Sequence, residues 1–329
     1  MKTFRNSSIK RLGKLIFHFA LLGCLSMTLV SCTDVIDPNI IGDPSFTKRP
    51  VIDALINDKS DNQVVILTWS QAYFDNNLPK PITGATVVVK EKNATTDRDL
   101  TFTEDPNRPG YYVYNGLRAQ ELTTYSLTIN HDGEIYKAQT YCPRRLSWVQ
   151  NPAFYDKPMD GRYDTLYFQF RKGTPAAPND SGYQVQLRIA DIRGLGDCYR
   201  LLSYRNGKLL NQPGNLNVYQ DGPALDGINF IPPALIRLNP VTPNDSAFRA
   251  GQNVTIEIQC IDRDSYDYWL QVQDQITNGG LFAEPPANVP CNIKNQREGG
   301  LRPLGWFGSA TTLTQSAVIQ PRVNVEYPK

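Results

Sequence analysis

Apolar and polar residues alternate with a period of two in one short run after another along this chain, and turn-forming residues separate the runs. Few folds accept that pattern. Val51–Asn57 and Gln63–Ser70 are rich in Val, Ile and Leu, and the polar stretch Asp58–Asn62 lies between them. Ala85–Lys90 resumes after Pro79-Lys-Pro81, and Leu100–Thr103 and Gly110–Tyr114 follow. Thr124–Asn130 sets Tyr125, Leu127 and Ile129 on one face. His131-Asp132-Gly133 then offers the Asp-Gly step of a tight hairpin, and Ile135–Tyr141 returns. The run of strands predicts a mainly β chain whose N-terminal domain, residues 48–145, is an immunoglobulin-like β-sandwich. His131, in a turn, reads as solvent-exposed rather than catalytic.

Pro143–Pro158 reads as a linker carrying Trp148, and residues 146–329 as a second β-rich domain of fibronectin-like character. Asp164–Arg171, Gly182–Ala190 and Asn253–Ile261 alternate again, and Arg205-Asn206-Gly207-Lys208 is a further hairpin signal. Leu209–Leu238 is rich in Gly and Pro and predicts a long irregular excursion. One helix stands out near 265–278. Asp264 or Ser265 can cap it, Tyr268, Trp269, Val272 and Ile276 recur at helical spacing, and Gly279-Gly280 ends it. The stretch from Leu281 is expected to be irregular, with a last strand over Ala317–Val325.

The N-terminus decides the compartment. Residues 1–31 hold Lys2, Arg5, Lys10, Arg11 and Lys14, no acidic residue, and an apolar run from Leu15 to Val30, the layout of a signal peptide. The run ends in Leu29-Val30-Ser31-Cys32, which resembles the lipobox of bacterial lipoproteins, where the cysteine is acylated and becomes the new N-terminus. An uncleaved anchor is the weaker alternative, because a small residue precedes the cysteine at the end of the run. Thr33 follows in place of the aspartate that favours inner-membrane retention in many bacteria, so a lipid-anchored, cell-surface-facing outer-membrane protein is expected. Residues 32–47 serve as a polar tether. The seventeen residues 33–49, as flexible coil, span about 20–25 Å.

Without the leader, the 34 basic residues fall by five against 32 acidic ones, for a formal charge of −3. A mildly acidic chain lacks the electrostatic footprint of a nucleic-acid binder. Four cysteines remain beyond Cys24 and Cys32: Cys142, Cys198, Cys260 and Cys291. None forms a CxxC pair, and export permits disulfides, as two bridges or as one bridge and two thiols, with three pairings open. Of two histidines, His18 lies in the leader, so a Ser-His-Asp triad or a multi-histidine zinc site would have to rest on His131 alone or do without it. No GxSxG, HExxH, Walker or GxGxxG pattern occurs, and no cofactor is implied. Asp262, Asp264 and Asp267 could bind calcium through oxygen, yet the EF-hand pattern fails, and negative charge is favourable at a helix N-terminus without any metal. Asp164-Thr165-Leu166 and Asp245-Ser246-Ala247 resemble short O-glycosylation sites. Trp306 and Phe307, flanked by glycines, are the candidates for an exposed contact surface, with the 209–238 and 281–310 segments around them as recognition loops.

Several short motifs occur in a fixed order. They are Val51-Ile-Asp-Ala-Leu-Ile56, Pro81-Ile-Thr-Gly-Ala-Thr-Val87, Gly110-Tyr-Tyr112, Thr124-Tyr-Ser-Leu-Thr-Ile129 and Ile135-Tyr136, then Tyr199-Arg200, Asn206-Gly207 and Asp226-Gly227. Gly251-Gln-Asn-Val-Thr-Ile-Glu257, Tyr266-Asp-Tyr-Trp269, Phe282-Ala-Glu-Pro-Pro-Ala-Asn288, Asn292-Ile293 and Leu304-Gly-Trp-Phe-Gly-Ser-Ala310 complete the series. In this order they resemble the Bacteroidetes lipoproteins catalogued as domain of unknown function 4249. Cys291 departs from the family pattern, which has a glycine, serine or threonine there, and so favours a local disulfide. The resemblance implies a lipoprotein encoded beside TonB-dependent outer-membrane transporters, hence a non-enzymatic accessory in nutrient capture, and supplies no catalytic residue. An exported hydrolase acting on glycans or peptides through carboxylates alone is the alternative.

Overall fold

A computed structural model of the chain describes residues 47–60, 62–72, 75–146, 166–171, 182–187, 191–211, 216–222, 226, 234–236, 248–278 and 288–320. Residues 1–31, Cys32, the rest of the tether, Trp148, Asp164-Thr165 and Asp245–Ala247 lie outside them. Apart from Ala72–Asn76, the chain from Lys48 onward belongs to one compact unit.

The alternating runs form strands as their periodicity requires. β1 (Pro50–Asn57), β2 (Asn62–Trp69), β3 (Thr86–Lys92), β4 (Asp97–Glu104), β5 (Tyr111–Asn115), β6 (Thr123–His131) and β7 (Glu134–Cys142) make the N-terminal half. Then come β8 (Leu166–Arg171), β9 (Gly182–Leu187), β10 (Cys198–Arg205), β11 (Lys208–Leu209), β12 (Val218–Gln220), β13 (Ala234–Ile236) and β14 (Asn253–Ile261). The helix α1 (Arg263–Thr277), β15 (Lys294–Asn295) and β16 (Leu304–Val318) close the described chain. The protein is mainly β, with sandwich-like layers. Both expected hairpin turns are present. Asp132 and Gly133 have φ of 47° and 76°, and Asn206 and Gly207 have 50° and 78°, the paired positive angles of a type I′ turn. His131 departs from expectation: its side chain is only 15% exposed, edge-on to Trp69 at 6.2 Å between ring centroids.

One hydrogen-bonded path runs β11-β10-β14-β16-β1-β2-β5-β4-β3-β6-β7-β15. β4 carries it from one layer to the other, pairing with β3 over most of its length and with β5 at Thr103 and Glu104. The first core lies between the layers. Ile52, Ala54, Ile56, Val65, Leu67, Tyr112 and Phe307 face Val87, Val89, Leu100, Phe102, Tyr125, Leu127 and Ile129 across it. A second core packs Tyr199, Leu201, Val254, Ile256, Ile258 and Cys260 against Leu166 and Val185 of the small β13-β9-β8 sheet.

The ladder crosses the boundary expected at residues 145–146. β16 pairs in parallel with β1, Val51 opposite Leu304 through Asn57 opposite Ala310, and antiparallel with β14. One face of β16 therefore sends Phe307 into the first core and Leu313 and Ala317 against the second. The segment around Trp306 and Phe307, expected to be irregular, is the middle of this sheet. Glycine masked it. Gly305 has φ +97°, and a Cβ there would lie 2.0 Å from the Ile52 carbonyl oxygen, so the close parallel approach of β1 requires glycine.

Phe307 has no exposed surface. Phe307→Ala should cost about 3–5 kcal/mol of stability, measured by urea denaturation, and Gly305→Ala should prevent folding or lower the midpoint at least as far. A loss under about 1 kcal/mol in Phe307→Ala would contradict the placement of β16 in the core.

Candidate functional site

The opposite face of β16 carries Trp306, Gly308, Ala310 and Thr312, and α1 packs on its first part. Trp306 Nε1 donates to Ser265 Oγ at 3.0 Å, and the Trp306 ring stacks on Tyr268 at 4.4 Å and 17°. Trp306 is thus half-buried beneath the helix and Phe307 is wholly buried on the other face. The proposed contact surface of Trp306 and Phe307 is corrected: both rings serve packing, because strand alternation turns one to each side of a sheet covered on both.

The aspartates at the helix start do not converge on a cation. Asp262, rather than Asp264 or Ser265, is the N-cap: its Oδ1 accepts from Ser265 N at 2.8 Å. Its Oδ2 accepts from Thr140 Oγ1 at 2.8 Å and Tyr141 N at 3.1 Å, which ties the helix to β7. Asp267 accepts from Arg263 Nε through both oxygens at 3.0 Å, and Asp264 lies exposed in the first turn. The calcium reading of Asp262, Asp264 and Asp267 gives way to capping and ion pairing.

Carboxylates do converge elsewhere. One oxygen each of Asp191, Asp221 and Asp226 lies within 4.8 Å of the others. Tyr199 OH donates to Asp191 at 2.5 Å, Gly196 N donates to Asp221 at 2.9 Å and 3.1 Å, and Gly194 N donates to Asp226 at 2.5 Å. Arg144 clamps the same loop, donating from Nη1 to the Arg193 carbonyl at 2.7 Å and from Nη2 to the Gly194 carbonyl at 2.6 Å. It also pairs with Asp197 at 2.7 Å, a carboxyl that burial holds above its ordinary range against the pull of Arg144. An oxygen-only set of this kind suits a hard cation, yet the loop's own amides and Tyr199 already donate to all three carboxylates. Nothing in the sequence singled it out, because its members are separated by a stretch rich in glycine and proline.

A second constellation lies on the helix-covered sheet face. Arg200, Gln259 and Thr312 are direct neighbours across β10, β14 and β16. The Arg200 guanidinium sits 3.8 Å above the Trp269 ring, an arrangement that favours the cation. Burial lowers its pKa, opposed by Tyr204, Glu257 and the exposed Asp53, and it stays charged. Glu257, 2% exposed, pairs with Lys59 and accepts from Gln259 Nε2 at 2.9 Å. Three atoms of the row, Arg200 Nε, Gln259 Oε1 and Thr312 Oγ1, are buried without a hydrogen-bond partner. Buried polar atoms of this kind are rare in folded proteins and call for a partner. Helical spacing alone marks Tyr268 and Trp269 as one apolar stripe and says nothing of Arg200, which cross-strand register brings to them.

All four cysteines are free thiols. Strand register explains part of this. Cys198 pairs with Ile261 and Cys260 with Tyr199, so adjacent positions carry the two sulfurs to opposite faces of the sheet. Burial raises the Cys142 and Cys198 thiols to about 12 and Cys260 to about 11. Cys291 is half-buried, and its sulfur accepts from Ile293 N at 3.3 Å instead of forming the expected local bridge.

The native protein at pH 8 should therefore react slowly with a thiol reagent and release four equivalents from these positions on denaturation, whereas two or none would show bridges. Asp262→Ala, which removes a cap and leaves Tyr141 N–H without its side-chain acceptor, should cost roughly 1–3 kcal/mol in urea denaturation.

No curated protein matches the chain. The model of one family, described as a domain of unknown function (DUF4249), matches residues 33–316, from the residue after Cys32 to within two residues of the end of β16. That span takes in every strand and the helix of the described fold, and the chain belongs to the DUF4249 family.

Proposed function

We propose that this protein is an exported lipoprotein, acylated at Cys32 and held at the cell-surface face of the outer membrane, that works by binding and not by catalysis, as an accessory of a TonB-dependent nutrient transporter. The leader and the Leu29-Val30-Ser31-Cys32 tetrad carry this reading, since they put an acceptor cysteine sixteen residues ahead of Lys48, where the compact unit begins. Confinement by a short tether raises the effective concentration seen by a neighbouring barrel, so a modest interface suffices.

The row of Arg200, Gln259 and Thr312 beside Trp269 supports a binding role. Arg, Trp and Tyr carry most of the energy at protein interfaces, and the row presents both donors and an acceptor without partners. The partly exposed Arg200 and Trp269 at the edge of this row replace Trp306 and Phe307 as the contact candidate. The convergence of Asp191, Asp221 and Asp226, with the neighbouring Asp197 carboxyl raised by burial, favours the second reading, an exported hydrolase working through carboxylates.

Affinity purification of the tagged protein from outer membranes, followed by mass spectrometry, separates the two. A TonB-dependent barrel should co-purify, and Arg200→Gln should weaken its recovery by about tenfold or more with an unchanged thermal melt. Cys32→Ser should abolish labelling by palmitate. Turnover of a glycan or peptide panel that Asp197→Asn abolishes, with no transporter recovered, would replace the binding reading by the hydrolase.

A further inference from the structure

We propose that the concavity beside the start of β1 is a binding site for the phosphate-bearing headgroups of an anionic membrane surface, which hold the compact unit down on the leaflet that carries its lipid anchor. The inference rests on the lipoprotein reading above. The concavity, about 760 Å³, is lined by Arg49, Lys294, Arg297 and Arg302 together with Asn295 and the backbone of Gly299 and Gly300, and no acidic residue lines it. Arg297 is held by Glu134 at 2.7 Å. The other three cations make no ion pair among the described residues.

Its neighbourhood repeats the charge. In the pairing of β15 with β7, Lys294 stands directly opposite Lys137, so both side chains project from the same side of the ladder. Like charges in that position repel and weaken a sheet unless an anion lies between them. Lys137 is exposed, also lacks an ion pair among the described residues, and lines an adjoining groove that shares Lys294 and also holds Lys90, Asp99 and Asp264. Cations from the β1 entry (Arg49), from β7 (Lys137), from β15 (Lys294) and from the approach to β16 (Arg302) thus meet on one surface of a chain whose mature charge is negative. A concentrated cation patch on an acidic protein has a local purpose that net charge does not supply.

The place of the patch selects the anion. Arg49 lies one residue before β1, at the end of the segment that leads from Cys32. Arg49 follows Cys32 by seventeen residues, and even fully extended that length spans at most about 60 Å, so this surface stays within reach of the headgroups to which Cys32 is fixed. Each Lys or Arg near an anionic surface strengthens binding about fivefold, and the effect falls within a Debye length, so the tether's closeness is what makes the patch effective.

Residues 33–329, which contain the entire compact unit from Lys48 onward and lack both leader and acyl chain, should be tested for co-sedimentation with vesicles of phosphatidylcholine alone or with one third phosphatidylglycerol. Binding is expected to the anionic vesicles only. Arg49→Gln/Lys294→Gln/Arg302→Gln should weaken it by about a hundredfold, roughly fivefold for each cation, with an unchanged thermal melt. Lys208→Gln, on the exposed β11, is the control and should bind as the unaltered chain does. Equal binding to both vesicles, no binding to either, or an unaffected triple variant overturns the proposal. So does saturable binding of inorganic phosphate that the triple variant loses while vesicle binding persists, because the anion is then a soluble one. An unacylated Cys32 in protein recovered from cells would overturn the lipoprotein reading instead, and the vesicle result is independent of it.

Discussion

The parallel pairing of β1 with β16 is the constraint from which the rest of the architecture follows. Between Asn57 and Leu304 lies nearly the whole described chain, so the pairing closes a very long loop and cannot form until much of the protein is in place. What compensates is burial on both sides. Ile52, Ala54, Ile56 and Phe307 fill the first core from one face, while Leu55 and Ala310 on the other face lie under Tyr266 and Trp269 of the helix. A parallel strand pair covered on both faces is the arrangement such pairs usually require. Because β16 then continues against β14, the same strand supplies a wall to the second core.

The helix is fastened to this pair by polar contacts at its N-terminus. Asp262 joins the first turn of α1 to Thr140 and Tyr141 of β7, and Thr140 Oγ1 lies 3.2 Å from Ser309 Oγ of β16. Helix, outer layer and central strand meet at these few atoms. The consequence reaches the candidate site: Trp269, in the middle of the helix, is held where its ring underlies Arg200, whose Nε is one of the buried polar atoms without a hydrogen-bond partner. A partly exposed cation over an aromatic ring, beside buried polar atoms that lack partners, is an arrangement that suits a polar partner.

Much of this was legible from residues alone, and the failures have common causes. Strands β1 to β7 were each visible from alternation, and the Asp132-Gly133 and Asn206-Gly207 turns from their tolerance of positive φ. The helix was placed within two residues, although its cap was misassigned because Asp262, Asp264 and Ser265 are equally good caps by type and only tertiary contact to Thr140 chooses among them. β16 was missed over residues 304–316 because Gly305 and Gly308 read as loop, whereas they serve close approach to Ile52 and to the Trp306 ring. The same misreading made Trp306 and Phe307 surface candidates. The Arg200-Gln259-Thr312 row and the Asp191-Asp221-Asp226 convergence depend on cross-strand register and loop geometry, which no local pattern encodes.

By pairing with both β1 and β14, β16 welds the two halves of the chain into a single cooperative structure. Native-state hydrogen exchange across a urea series tests it most directly, because it reads the opening free energy of each amide. The account predicts that amides of β1, β14 and β16 share the highest protection and open together with those of β6 and β7, in one global event. A lower and separate opening of residues 166–318, with β1 to β7 still protected, would contradict it and would show two domains that merely lie side by side.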